Sequence, residues 1–409
     1  MANRGKSLDS EIFSIADLQA KASEKLPRVF KEFFNEGAMD LITVKDNEDA
    51  FNRYKIRPRV LRDVSNLDTS TTICNTKVSF PFGFAPAATH KIAHPDGEIG
   101  TSKVAAEANI CMALSSHATC SLEDVIAEGS GNPYMIQFII LKDRNITRQL
   151  LERAESETHP FVSLIIAGAK SSYVTESGYK AVMLTVDAPM LGRRLNEYRN
   201  SFGIPNGMGY PNLAPGSDMS NLTETGEGLA YGELRMFEIF LQTPNDIFLE
   251  DGIEWAEAIA WIRSVTKLEI WVKGIYTAED VALAIQHGVN GVVISNHGGR
   301  QLDGVPATLD ALRECAPVAK GKIAIAIDGG IRRGTDIFKA LALGADYCFA
   351  GRIPIWGLAY NGTKGVELAV KLLQEEFKLA MCLAGCKTIK DINKSHLSIL
   401  ETNGVLSKL

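Results

Sequence analysis

Residues Gly291–Gly299 read GVVISNHGG, and residues Lys322–Gly330 read KIAIAIDGG. Each is an unbroken apolar run that stops on polar residues and a pair of glycines. Runs of this length are what parallel β-strands covered on both faces look like, because neither face has water to meet. Working outward from these two, six more such runs are found. They are PFGFAPA (Pro81–Ala87), CMALSS (Cys111–Ser116), YMIQFII (Tyr134–Ile140), AVMLTVD (Ala181–Asp187), LEIWVKG (Leu268–Gly274) and YCFAGR (Tyr347–Arg352). Amphipathic stretches lie between them, such as TAEDVALAIQHG (Thr277–Gly288). There Thr277, with Asp280 three residues later, reads as a helix start and Gly288 as its end.

Eight strands alternating with helices predict an α/β fold of the closed (β/α)8 TIM barrel type, which takes roughly 250 residues. The rival, an open doubly wound sheet, usually carries a G-x-G-x-x-G turn, and this chain has none. The expected organisation is an N-terminal helical segment over 1–65, the barrel over 66–395 and a C-terminal tail over 396–409. A long loop rich in Gly, Pro, Asn and Ser follows strand four (Leu195–Gly232) and reads as a functional lid. The apolar segment Glu157–Ser177 reads as an extra strand or helix on the far face.

Composition narrows the class. The 409 residues are 45% hydrophobic and 22% charged, an ordinary globular balance. A net charge of −6 gives no general attraction to nucleic acid or to an anionic membrane. No apolar stretch approaches the roughly 20 residues that span a bilayer, and the opening MANRGKSLDSEIF has no apolar core of a secretory signal. Seven cysteines without CxxC spacing fit a reduced interior better than disulfides or zinc. The final Ser407-Lys408-Leu409 reads as a peroxisomal address.

The polar residues fall in a pattern. Ser115, Ser116, Gln137, Thr185, Asp187, Lys273, Ser295, His297, Asp328, Gly351 and Arg352 all sit at or near the ends of their runs. In a barrel those ends converge on one face, where active sites are built. Gly329-Gly330 followed by Ile331-Arg332-Arg333-Gly334, and then Gly351-Arg352, is a phosphate cradle in kind. Glycine admits close backbone N–H approach and arginine supplies charge-assisted bonds. His90 and His94 have metal-ligand spacing but no third ligand nearby, and His94-Pro95-Asp96 reads as a helix entry, so no metal is expected.

SNHGGRQLDG, with LTVDAPMLGRR before it and DGGIRRGTDIFKALALGA after it, resembles the FMN-dependent α-hydroxy acid oxidase and dehydrogenase family, typified by glycolate oxidase. The likeness runs from about Leu26 to about Ser398. It implies FMN as cofactor, a small carboxylic acid as substrate, O2 as electron acceptor and a homo-oligomer, a tetramer. It implies His297 as general base, with Asp187 stabilising the imidazolium. Arg194 and Arg300 would grip the substrate carboxylate, and Lys273 would stabilise the reduced flavin. Ser115, Gln137, Thr185, Ser295 and the backbone around Ala87 would hold the flavin ring. Asp328, Gly330, Arg332, Gly351 and Arg352 would hold the ribityl phosphate.

The chain departs from the family at its substrate positions. Two tyrosines usual there are replaced by Phe33, in KEFFNEGA, and Ile139, in IQFII. A third pocket position is His117, in SSHATCS. Losing two hydroxyl donors would leave polar substrate atoms unpaired. The expected function is therefore an FMN-dependent oxidase of the carbon alpha to a carboxylate, acting on a 2-hydroxy acid or a specialised biosynthetic acid and releasing H2O2. The alternative is C–N dehydrogenation of a cyclic imino or partly reduced pyridine carboxylate, as in fungal members of fusaric acid oxidase type. A flavoprotein without catalysis is disfavoured by the intact His297.

Overall fold

Eight parallel strands close into a barrel in the computed structural model, which describes residues 7–156, 178–205, 207–213, 252–401 and 404–409. In chain order they are β1 (Phe82–Phe84), β2 (Cys111–Ser115), β3 (Tyr134–Phe138), β4 (Ala181–Thr185), β5 (Glu269–Ile275), β6 (Gly291–Ile294), β7 (Ala324–Ile327) and β8 (Tyr347–Ala350). Each pairs with its sequence neighbours, and β8 closes on β1. The eight runs read from the sequence are these eight strands.

Their unbroken hydrophobicity has a direct cause. Alternate side chains face opposite sides of a strand, and here both sides are buried. Cys111, Ala113, Met135, Ala181, Met183, Trp271, Val293, Ala326, Tyr347 and Phe349 pack into one cluster that fills the barrel. Met112, Leu114, Ile136, Val182, Val272, Ile294 and Ile327 belong to the second, larger cluster with the surrounding helices. A hairpin of Thr71–Ile73 and Thr76–Val78 adds Ile73, Cys74 and Val78 to the inner cluster.

This alternation also aims the site. Counting on by two from the inner apolar positions reaches Ala87, Ser115, Gln137, Thr185, Lys273, Ser295, Asp328 and Gly351. The polar residues at the strand ends are thus the next layer of the barrel's own interior parity.

Among the described residues, three helices precede the barrel: α1 (Ile15–Lys25), α2 (Arg28–Asn35) and α3 (Ile42–Arg53). Ser14 caps α1 by accepting from Asp17 N, and α1 lies along the final helix, Arg352–Ala384. Tyr54–Ile56 pairs antiparallel with Leu397–Leu400, which pairs in turn with Leu406–Lys408. The loop expected over 195–232 opens with a helical turn, Leu195–Arg199. Its remainder after 213, and the Glu157–Ser177 segment read as a strand or helix, lie outside the described residues. Among the described residues no helix is long and apolar enough to cross a membrane.

Candidate active site

Strand register assembles the first row. Ser115 stands opposite Gln137, and Thr185 opposite Lys273. Gln137 Nε2 donates to Thr185 Oγ1 at 3.0 Å, joining the two pairs. The four are buried side by side across β2 to β5. Lys273 Nζ is 3.7 Å from Asp328 Oδ2 at the end of β7.

Asp187 follows β4, and Gly274 makes room for it. Gly274 has φ +107°, and a Cβ there would lie 2.7 Å from the Asp187 side chain. Asp187 Oδ1 meets His297 Nδ1 at 3.0 Å. A carboxylate only accepts, so Nδ1 carries the proton and Nε2 keeps its lone pair. Burial, helped by the Lys273 charge, pulls the His297 imidazole below its ordinary pKa, while Asp187 opposes the shift. Burial raises the Asp187 carboxyl, but His297 and Lys273 outweigh it and leave the group below its usual value.

The loop bearing His297 is held in an unfavourable backbone form. His297, Gly298 and Gly299 have φ of +55°, +63° and +74°, a left-handed region costly for a residue with a Cβ. Contacts from outside the barrel hold it. Asn296 and Asn47, on α3, exchange amide hydrogen bonds of 2.8 and 2.7 Å. Arg352 Nη1 donates to Gly298 O at 2.9 Å, and Ala38 N to Gly299 O at 2.8 Å.

The two candidate clamp arginines share a residue absent from the sequence-based set. Arg300 Nη2 donates to Glu197 Oε1 at 2.9 Å, and Arg194 Nη1 lies 3.4 Å from the same oxygen. Arg300 also reaches the Phe33 and Glu36 carbonyls at the end of α2. Its guanidinium sits 4.8 Å over the Phe33 ring, which stacks on Phe202 at 4.1 Å. Gln301, also unforeseen, donates to the Asp187 and Met190 carbonyls. The only local sign of Glu197 is its spacing, three residues after Arg194.

At the phosphate-type end, Arg332 pairs with Glu48 at 2.7 Å and lies over Trp356. Arg352 donates to the carbonyls of Phe34, Gly298 and Glu36. Burial, with Arg332 nearby, brings the Arg352 pKa down to about 10. The glycines differ in cause. A Cβ on Gly330 would lie 2.0 Å from Asn47 O, so packing against α3 requires glycine there. At Gly351 the nearest atoms to such a Cβ, on Ala85 and Ala87, are 3.9 and 4.0 Å away, so the protein itself leaves that position open.

The remaining candidates flank this set. Ala87 and Ile139 are half-buried just past β1 and β3. Ser295 is buried, and its Oγ accepts from His297 N. His117 touches Ser116 Oγ through Nδ1 at 3.2 Å and meets Tyr210 edge-on at 5.2 Å. Burial lowers its pKa to about 4, leaving a neutral ring at neutral pH. His90 Nδ1 instead pairs with Thr101 Oγ1.

A half-buried imidazole–carboxylate pair, a buried lysine and two arginines thus stand together at one end of the TIM barrel. Comparisons with known proteins place the chain in a family. The FMN-dependent dehydrogenase family matches residues 22–166 and 171–399, and the chain belongs to that family. It is 50% identical over 401 residues to Oxidase FUB9 of Fusarium oxysporum f. sp. lycopersici, covering 98% of this chain and 94% of the relative. It is 40% identical over 389 residues to glycolate oxidase of Spinacia oleracea, covering 95% and 96%. A crystal structure of mandelate oxidase with (S)-4-hydroxymandelic acid superposes with TM-score 0.79 at 30% identity, covering 93% of this chain and 97% of that one. The protein is an FMN-dependent oxidase of the α-hydroxy acid oxidase family.

Proposed function

We propose that this site removes two electrons and two protons from a 2-hydroxy acid, giving the 2-oxo acid. The observation that carries the reading is the 3.0 Å His297–Asp187 pair. It orients a neutral base beside two arginines able to hold a carboxylate. Arg194 and Arg300 bind the substrate carboxylate, a task suited to the planar guanidinium. His297 Nε2 takes the hydroxyl proton, and Asp187 stabilises the imidazolium that results. Bound FMN supplies the two-electron acceptor. Lys273, buried beside Asp328, would supply the fixed cation for negative charge on the flavin.

The residues present fit that cofactor. Asp328 Oδ1 and Arg332 Nε are buried without a hydrogen-bond partner among the described residues, and such groups call for one. With the open position at Gly351 they would hold the ribityl phosphate chain, alongside Gly330 and Arg352. Ser115, Gln137, Thr185, Ser295 and the Ala87 backbone would hold the ring. With O2 as the acceptor, the two electrons and two protons taken from the substrate would leave as H2O2. Ser407-Lys408-Leu409, read as a peroxisomal address, supports a compartment suited to that product.

A second reading has its own support. Phe33 carries no hydroxyl and is packed between Arg300 and Phe202, and Ile139 is apolar. Both departures suit a substrate oxidised at a C–N bond, a cyclic imino or partly reduced pyridine carboxylate. Anaerobic bleaching of the flavin absorbance separates the two. Reduction by 2-hydroxy acids supports the first reading. Reduction only by cyclic amino and imino acids replaces it with the second, and reduction by neither overturns both.

A further inference from the structure

One buried carboxylate ties together the loops that follow β1 and β2. Glu98 lies in the first turn of the helix Gly97–Glu107 and is wholly buried. Its Oε1 accepts from two backbone groups, His90 N at 3.0 Å and Thr119 N at 2.9 Å. Its Oε2 accepts from the Thr119 hydroxyl at 2.7 Å. His90 stands three residues after Ala87, and Thr119 two residues after His117. The Cys120 thiol lies against the same carboxylate, which helps burial push its pKa up to about 11. The His90 ring continues the tie: burial lowers its pKa, with Glu98 and a bond to the Ala87 carbonyl opposing the shift. Its Nδ1 pairs with Thr101 Oγ1 at 3.1 Å.

The two loops also meet directly, where Thr89 N donates to His117 O at 3.3 Å. Thr89 is buried at φ +59°. A β-branched residue in that left-handed region is strained and persists only where its surroundings hold it. A carboxylate is a costly thing to bury unless it is hydrogen-bonded, and here its bonds reach both loops. We propose that Glu98 and His90 are positioning residues that set the Ala87 backbone against His117, and so seat the flavin ring beside the substrate pocket. This rests on reading Ala87 as a flavin contact and His117 as a wall of that pocket. Glu98 acts through the backbone of the two loops and not by touching substrate.

The test compares wild type with Glu98→Met, Thr119→Val and Glu98→Gln. Each holoenzyme is diluted, and FMN release is followed by the rise in flavin fluorescence. The visible circular dichroism of the bound flavin reports how the protein holds the ring. Glu98→Met is similar in length but leaves two buried N–H groups without their acceptor. Thr119→Val loses the hydroxyl that bonds both Glu98 and Lys91 N. Both should raise the FMN dissociation constant about tenfold or more and change the dichroism. Glu98→Gln keeps an acceptor for both backbone groups and can donate to the Thr119 hydroxyl instead, so it stays within about threefold of wild type. A lowered melting temperature in Glu98→Met and Thr119→Val, with wild-type FMN affinity and dichroism, would make Glu98 a matter of stability alone and overturn the proposal. Glu98→Gln as impaired as Glu98→Met overturns it as well. Should Glu98→Met fail to fold, Thr119→Val decides by the same two readouts. Wild type that takes up no FMN at all sinks the flavin reading of Ala87, and this inference with it.

Discussion

Asp187 acts on His297 in two ways: it accepts the Nδ1 proton at 3.0 Å, and its charge pulls the imidazole pKa upward. Burial and Lys273 win, so the ring titrates below its ordinary value. The neutral form, which can take a proton, therefore persists to lower pH than for a free imidazole. The acid limb of kcat/KM should lie below the usual imidazole range. In Asp187→Asn the upward pull is gone, so that limb moves to still lower pH. Turnover falls about a hundredfold or more, because the imidazolium loses its stabilising charge. The pH dependence of anaerobic flavin reduction measures both, and a limb displaced to higher pH contradicts the assignment. His297 and Asp187 were legible in sequence, as polar residues ending apolar runs. Gly274 was not. Its glycine answers to a side chain just past the end of the neighbouring strand, a relation no local pattern encodes.

Helix α3 is the element that makes the His297 loop rigid. Asn47 pairs with the Asn296 amide and also accepts from Thr308 N at 3.2 Å, while Asp303 accepts from the backbone N–H groups of Asp40, Ile42 and Thr43. In Asn47→Ala the Asn296 amide loses its buried partner, a loss of about 1–3 kcal/mol. We expect a lowered melting temperature, and a fall in kcat that exceeds any rise in KM because the base, not the clamp, loses its support. Thermal melts and steady-state kinetics on one preparation check this. A melting point unchanged from wild type would remove α3 from that role. Residues from about 12 to 65 read in sequence as short helices and a linker, and nothing there announces this grip. Asn47 and Asn296 stand 249 positions apart, and only the closed barrel brings them together.

Asp328 Oδ1 and Arg332 Nε are both buried and without partners among the described residues. A cofactor bound only by the folded state adds stability by mass action, about 2.7 kcal/mol at a hundredfold excess over Kd. Removal of FMN should lower the melting temperature by several degrees, and added FMN should restore it in proportion to the logarithm of its concentration. Differential scanning fluorimetry of apoenzyme across FMN concentrations reads this directly. A melting point that ignores FMN would mean those groups answer to something else.

Sequence was enough for the architecture because strands buried on both faces must be apolar throughout. Eight such runs, seven of them with polar residues at or near their ends, therefore announce a barrel and its functional end. His297, Asp187 and Lys273 stood out as polar residues at or near the ends of apolar runs, whereas Arg194 and Arg300 were picked out only by the family resemblance. Sequence was silent on Glu197, Gln301, Gly274 and the Asn47–Asn296 pair. Their importance lies in what stands across from them in space. The pairing of Arg194 and Arg300 with Glu197, the room beside Asp187 and the strained loop under His297 all depend on contacts between residues far apart in the chain or on neighbouring elements, and those exist only once the chain has folded.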